Sequence, residues 1–235
     1  MKSFALAALV ATTSATLPQL AVGECPSTAS INGMGNVDES AYAGMWYEYE
    51  RQMSPLPWWM GYSMMDDMGQ CGTQEIESTS EGLIVNYKLK MMWPMGWMGS
   101  PRMATTITNE GVQLTEFDKP LDWVFDESDD KHFSYVLDTD YDNYAAVYMC
   151  ADGSEKMDMA IQVVYVYVRD PSYTLSDSVR AAIDAKVQAI VPSYDSGDSY
   201  YPVKGDEGFF VSCDYENSQA AVDAYYAEKM DEEMM

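Results

Sequence analysis

Few residues in this chain have side chains that could carry reaction chemistry. His132 is its only imidazole, and Cys25, Cys71, Cys150 and Cys213 are its only thiols. One histidine excludes a His-rich zinc or haem centre, and it has no evident nucleophile beside it for a Ser-His or Cys-His dyad. The cysteines lie too far apart for CxxC-type metal knuckles. Their even number suits two disulfides in an exported chain, and three pairings are open. The 19 methionines offer thioether sulfur, a Cu(I) ligand, and Met65/Met68 and Met92/Met95 have MxxM spacing. A cluster of flexible, polarizable Met beside flat Trp needs no metal to explain it, because together they make an adaptable apolar surface. No metal site is therefore expected, and no enzyme activity.

Charge narrows the partners. Lys+Arg number 13 against Asp+Glu 38, a formal net charge of −25. Such a surface repels phosphate backbones and anionic membranes, so nucleic acid is excluded as a partner. A hydrophobic fraction of 47% is enough for a core.

Lys2 is followed by a short apolar run, Phe4 to Val10, and Ala21-Val22-Gly23 gives a small-x-small cleavage pattern. Residues 1–23 therefore read as a signal peptide and the mature chain as secreted. No later stretch reaches the roughly 20 apolar residues that span a bilayer. Residues 24–213 read as one domain, and 214–235 as an acidic, Met-containing tail, solvated or loosely docked.

The elements that must position these side chains are mostly strands. Gly44 to Met53, Cys71 to Thr79, Leu83 to Lys90, Ala104 to Asn109, Val112 to Phe117, Leu121 to Phe125, His132 to Asp138, Tyr144 to Cys150 and Met159 to Arg169 are short β-rich runs. Turn-like pieces such as Ser80-Glu81-Gly82 separate them. This pattern predicts an antiparallel sandwich or closed barrel. One segment differs: behind a Ser176 cap, Val179, Ala182, Ile183, Val187 and Ile190 recur at helical spacing, and Pro192 ends the helix.

Three motifs in this order resemble the lipocalins. Gly44-Met45-Trp46 is similar to the family's first-strand Gly-x-Trp; Thr139-Asp140-Tyr141 to the turn between its sixth and seventh strands; and Arg169 to the arginine closing its last strand. TDYDNYAAVYMC most resembles the apolipoprotein D and invertebrate pigment-carrier branch, with its insecticyanin and crustacyanin types. The resemblance covers roughly Cys25 to Cys213. It implies an all-β fold: an eight-stranded antiparallel up-and-down barrel, or calyx, with one C-terminal flanking helix. It further implies structural roles for Gly44, Trp46, Thr139, Asp140, Tyr141 and Arg169, with Trp46 plugging the closed end under Arg169. It also implies the pairs Cys25–Cys150 and Cys71–Cys213.

Strand parity then suggests a pocket. Arg169 on the axis turns Tyr167, Tyr165 and Val163 inward. The Thr139-Asp140-Tyr141 turn brings in Leu137, Tyr135 and Phe133, and Ile76 is counted with them. Parity from Trp46 points Glu48 and Glu50 inward; a bulge after Trp46 would instead flip the strand and turn Tyr49 in. The segments Ser54 to Gln70 and Met91 to Arg102 hold four of the six Trp and eight of the 19 Met. Strand threading puts both at the open end, so Trp58, Trp59, Met91, Met92 and Trp93 join the ligand set as a lid. The alternatives for these loops are a satellite core, a partner surface able to join copies of the chain, or the thioether site. The function expected is a secreted carrier of a carotenoid, bilin, retinoid, sterol or fatty acid. No cofactor is required beyond such a non-covalent chromophore or lipid. The alternative is a structural or storage protein that assembles through its Met/Trp-rich loops. Prostaglandin synthase-type relatives need a free cysteine in the calyx, which two disulfides would leave absent.

Overall fold

The computed structural model describes residues 25–26, 31, 33–53, 69–80, 82–91, 96–99, 103–107, 112–116, 131–152, 160–192, 194–196, 213, 215–216, 218 and 220. The expected signal peptide, the Leu121 to Phe125 strand, and Trp58, Trp59, Met92 and Trp93 lie outside the described residues.

Nine antiparallel strands form the sheet: β1 Gly44–Met53, β2 Gly69–Thr79, β3 Gly82–Met91, β4 Gly96–Gly99, β5 Met103–Ile107, β6 Val112–Glu116, β7 Lys131–Thr139, β8 Tyr144–Asp152 and β9 Ala160–Val168. The order β2-β1-β9-β8-β7-β6-β5-β3 returns on itself because β2 also pairs with β3, so these strands close a ring. The remaining strand, β4, was expected to be loop. It folds back on the end of β3, with Leu89 opposite Met98 and Lys90 opposite Trp97. The other half of β3 pairs with β5, Leu83 opposite Thr105.

Every residue of β9 from Val163 to Val168 is β-branched or aromatic, the composition that favours a pleated, buried surface. Its central position between β1 and β8 follows. The wall has two faces with separate cores. The inner core contains Trp46, Ile76, Leu83, Val85, Val136, Ala145, Val147 and Tyr167. The outer core contains Tyr49, Tyr135, Leu137, Ala146, Tyr148, Val164 and Val166, packed against Ile183 and Val187. Those two belong to helix α2, Asp177–Gln188, whose Ser176 cap accepts from Val179 N. Of the apolar stripe read from the sequence, Val179, Ile183, Val187 and Ile190 lie on the barrel, while Ala182 is exposed.

Two disulfides, Cys25–Cys150 and Cys71–Cys213, tie the chain's outer segments to the wall. Each closes a loop of more than 100 residues, so each stabilises by about 4–5 kcal/mol in the chain-entropy model. The second brings Tyr215, at the start of the acidic tail, edge-on to Tyr47 with centroids 4.7 Å apart. Ser218 is buried, while Glu216 and Ala220 are exposed.

Candidate functional site

The closed end is built first by a turn. Thr139 Oγ1 accepts from Tyr141 N at 2.9 Å and donates to Tyr144 O at 2.6 Å. Asp140 accepts from the backbone N–H of Asn143 and Tyr144 at 2.8 and 3.0 Å, and from Asn143 Nδ2 at 2.8 Å. Partial burial works against the Asp140 charge, but these hydrogen bonds outweigh it and hold the carboxyl below its ordinary pKa. Tyr141 sits at φ 66°, and its hydroxyl accepts from Asp38 N at 3.1 Å. Asp38 caps a one-turn helix, α1, Glu39–Tyr42.

Trp46 and Arg169 close the floor. Trp46 is 1% exposed, and its indole donates to Tyr42 O at 2.8 Å. The Arg169 guanidinium carbon lies 3.6 Å from a Trp46 ring centroid, a cation–π contact. The same guanidinium donates to the carbonyls of Tyr141 and Met45 at 3.0 Å, and of Ala41 and Ala43 at 2.9 Å. Gly44 permits this approach: it adopts φ 107°, and a Cβ there would stand 3.0 Å from Arg169 Nη1. All six residues expected to be structural therefore meet at one end of the ring.

Above Trp46 the lining becomes polar on one side. Glu48 is fully buried; Arg51 Nη1 lies 3.3 Å from its Oε1, and the Tyr87 hydroxyl donates to its Oε2 at 3.1 Å. Burial, followed by the Glu48 charge, pushes the Tyr87 phenol well above its ordinary pKa. Gln74 Nε2 donates to the Tyr167 hydroxyl at 2.7 Å, and Tyr165 stacks on Tyr167 with centroids 5.4 Å apart. Gly72 leaves space for the Glu48 carboxylate, because a Cβ at that position would overlap Glu48 Oε2. Val136, Ala145 and Val147 also belong to this core and are aliphatic; Ala145 lies beside Tyr167 and Val147 beside Tyr165 in the β8–β9 ladder. The inner face thus intersperses phenols, the paired Glu48 carboxylate and aliphatic side chains.

Ile76, Glu48, Tyr165 and Tyr167 are inside as expected. Three other candidates are not. In β1 the register shifts between Glu48 and Glu50, so Tyr49 is an extra residue and Glu50 falls opposite outward-facing Val166. Glu50 accordingly faces α2, where Arg180 Nη1 donates to its Oε1 at 2.6 Å and the Tyr194 hydroxyl at 2.8 Å. In β7 a second shift between Val136 and Asp138 makes Leu137 the extra residue. Leu137 and Tyr135 therefore join the outer core, and Val136 faces the lumen instead. The bulges reverse the alternation on which the parity argument depended. The side chains of Phe133 and Met91 lie outside the described residues.

The sequence reading missed Gln74, Tyr87 and Arg51. Gln74 and Tyr87 follow by simple alternation from Ile76 and Val85, a signal that was present. Arg51 is inside only because of the Tyr49 bulge, which places it opposite Tyr165.

Comparison with known proteins agrees with this geometry. A model of the lipocalin / cytosolic fatty-acid binding protein family matches residues 65–184. No curated protein sequence matches. Among solved structures, apocrustacyanin C2 superposes with a TM-score of 0.57 at 16% identity, covering 85% of this chain and 96% of its own. Insecticyanin from the tobacco hornworm Manduca sexta gives 0.53 at 18% identity, covering 79% and 88%. Lobster apocrustacyanin A1 gives 0.52 at 16%, covering 81% and 96%. At such identities these three share the fold.

Proposed function

The chain belongs to the lipocalin / cytosolic fatty-acid binding protein family, and from that premise we propose that it is a secreted carrier of a hydrophobic small molecule held in the calyx. The observation that carries this reading is the closed ring of strands whose inner face carries aliphatic side chains interspersed with phenols. Such a lining holds a ligand by burial and orients it through few polar groups. Carotenoids, bilins, retinoids, sterols and fatty acids are the candidate classes. Resemblance to a pigment-carrier branch favours a conjugated ligand.

Secretion is supported by the N-terminal segment and by the pairing of all four cysteines, which persists in oxidising compartments. The same pairing leaves no thiolate nucleophile and favours a binder over an enzyme. Among the described residues, no helix is long and apolar enough to cross a membrane.

The Met/Trp-rich segments serve as the lid in this reading. Its support is strand direction: Met53 of β1, Gly69 of β2 and Met91 of β3 all end on the side of the ring opposite the Asp140 turn. The test has two parts. An absorption spectrum of protein purified from its source should show a visible band if the ligand is a chromophore. Variants with Trp58 and Trp59, or Trp93 and Trp97, replaced by Ser should then lose affinity for at least one extended apolar ligand in tryptophan-quenching titrations, without unfolding. Unchanged binding of every ligand, together with a changed sedimentation coefficient, would favour the assembly role instead.

A further inference from the structure

We propose that the Cys71–Cys213 bridge is a redox-sensitive clamp: it holds β2 in the bulge that seats Glu48, and reduction by a dithiol releases that bulge and the segment beyond Cys213 together.

Strands β2 and β3 fall out of step at the bridge. Gln70 lies opposite Lys90 and Thr73 opposite Lys88, so Cys71 and Gly72 share the single position of Leu89. Cys71 takes φ 59°, and among the described residues only Tyr141 is a second non-glycine residue with positive φ. A residue with a Cβ holds that conformation only where its surroundings impose it. At Tyr141 hydrogen bonds do so: its N–H donates to Thr139 Oγ1 and its carbonyl accepts from Arg169 Nε. At Cys71 the imposing contact is the bridge, with the fully buried side chain packed against Cys213 and Tyr215.

The same bulge has an inner side at Gly72. The β1–β2 pairing stops at Tyr47 and Thr73. Glu48, next along β1, lays its carboxylate where a Cβ of residue 72 would stand. On the outer side Tyr215 packs edge-on against Tyr47. One bulge thus links the segment after Cys213 to a carboxylate inside the ring. The other bridge has no such strain to release, because Cys150 sits in regular pairing with Phe133 and Gln162.

Cys213 is partly exposed and Cys71 is not. A thiolate of the dithiol therefore attacks Cys213 Sγ, the Sγ–Sγ bond breaks, and Cys71 leaves as a thiolate that takes up a proton. The second sulfur of the dithiol then displaces Cys213, which is protonated in turn, and the reagent departs as its own disulfide. Two electrons and two protons pass to the protein.

Dithiothreitol titration of the full chain, with alkylation and peptide mapping, should label Cys71 and Cys213 at about tenfold lower reagent than Cys25 and Cys150. Hydrogen exchange then reads the clamp itself. Cys71→Ser with Cys213→Ser should speed exchange about tenfold across residues 69–75 and 213–220. Cys71→Gly with Cys213→Ser, in which φ 59° costs little, should keep the parent's protection over 69–75 and lose it only over 213–220. Opening of Cys25–Cys150 first, or of both bridges together, would overturn the proposal. So would equal exchange of the two double variants over 69–75.

Discussion

Arg180 of α2 and Glu50 of β1 meet on the outside of the barrel, where Arg180 Nη1 donates to Glu50 Oε1 at 2.6 Å. A carboxylate that strand alternation aims at the lumen is therefore part of the clasp holding the helix to the wall. Tyr194 donates to the same oxygen at 2.8 Å, and burial with the Glu50 charge raises the Tyr194 phenol far above its ordinary pKa. Glu50 is 1% exposed, and these partners meet its carboxylate at the wall.

Replacing Glu50 by Ala should remove the clasp between β1 and α2. The expected loss of stability is about 3–5 kcal/mol, the range for breaking one partner of a buried pair. Urea unfolding measures it. Ligand affinity per folded molecule should not change, because the carboxylate lies outside the lumen. A loss of affinity with unchanged stability would return Glu50 to the calyx.

The closed end gives a second expectation. Trp46→Ala should destabilise by about 3–5 kcal/mol, as for other buried aromatic truncations. A double-mutant cycle with Arg169→Met should yield a coupling of about 1–2 kcal/mol from the cation–π contact. Thermal unfolding of the four proteins supplies both values. Strictly additive losses would mean that the stacking contributes nothing and that Arg169 acts through its carbonyl contacts alone.

The uneven legibility of this fold has a physical cause. The barrel, the helix and the floor were readable because their signals are local: the β9 run, the Ser176 cap and helical stripe, and turn chemistry at Asp140. The pocket was readable only where alternation is unbroken. On β9 it predicts Tyr165 and Tyr167 correctly. On β1 and β7 it fails at one residue each, Tyr49 and Leu137, and inverts every assignment beyond. Neither bulge carries a Gly or Pro to announce it. The extra residue of each bulge joins the outer core shared with Ile183 and Val187 of α2, more than 40 residues away in sequence.

Acid should loosen the closed end. Hydrogen bonds hold Asp140 below its ordinary value of 3.8 after offsetting its burial. Asp38 is held below 3.8 foremost by the Ser40 hydroxyl, and Asp170 foremost by the Ser172 backbone N–H. A folded pKa below the unfolded one stabilises fully above pH 3.8, and that contribution is lost as pH falls through the folded value. Asp140→Asn should therefore melt ~2–4 °C below the parent at pH 6, equivalent to about 1 kcal/mol, and the two should converge as pH falls through the folded Asp140 value. Parallel melting curves across that range would show that the Asp140 charge does not matter to the turn.

Gly72 tests the packing of the calyx wall most directly. A Cβ there would overlap Glu48 Oε2 and stand 3.0 Å from its Cδ and 3.1 Å from its Cβ. Moving the carboxylate tip alone cannot relieve all three approaches, and the tip is held by Arg51 and Tyr87. Gly72→Ala should therefore destabilise by about 1–3 kcal/mol through overpacking. It should also displace Glu48 and alter ligand selectivity in quenching titrations. In a Glu48→Ala background only the 3.1 Å approach remains, and the same substitution should lose most of its effect. Urea unfolding of the parent, both single variants and the double variant decides the matter. If the two losses add without coupling, Gly72 is small for a reason other than the carboxylate it faces, and the Glu48 position is set by Arg51 and Tyr87 alone.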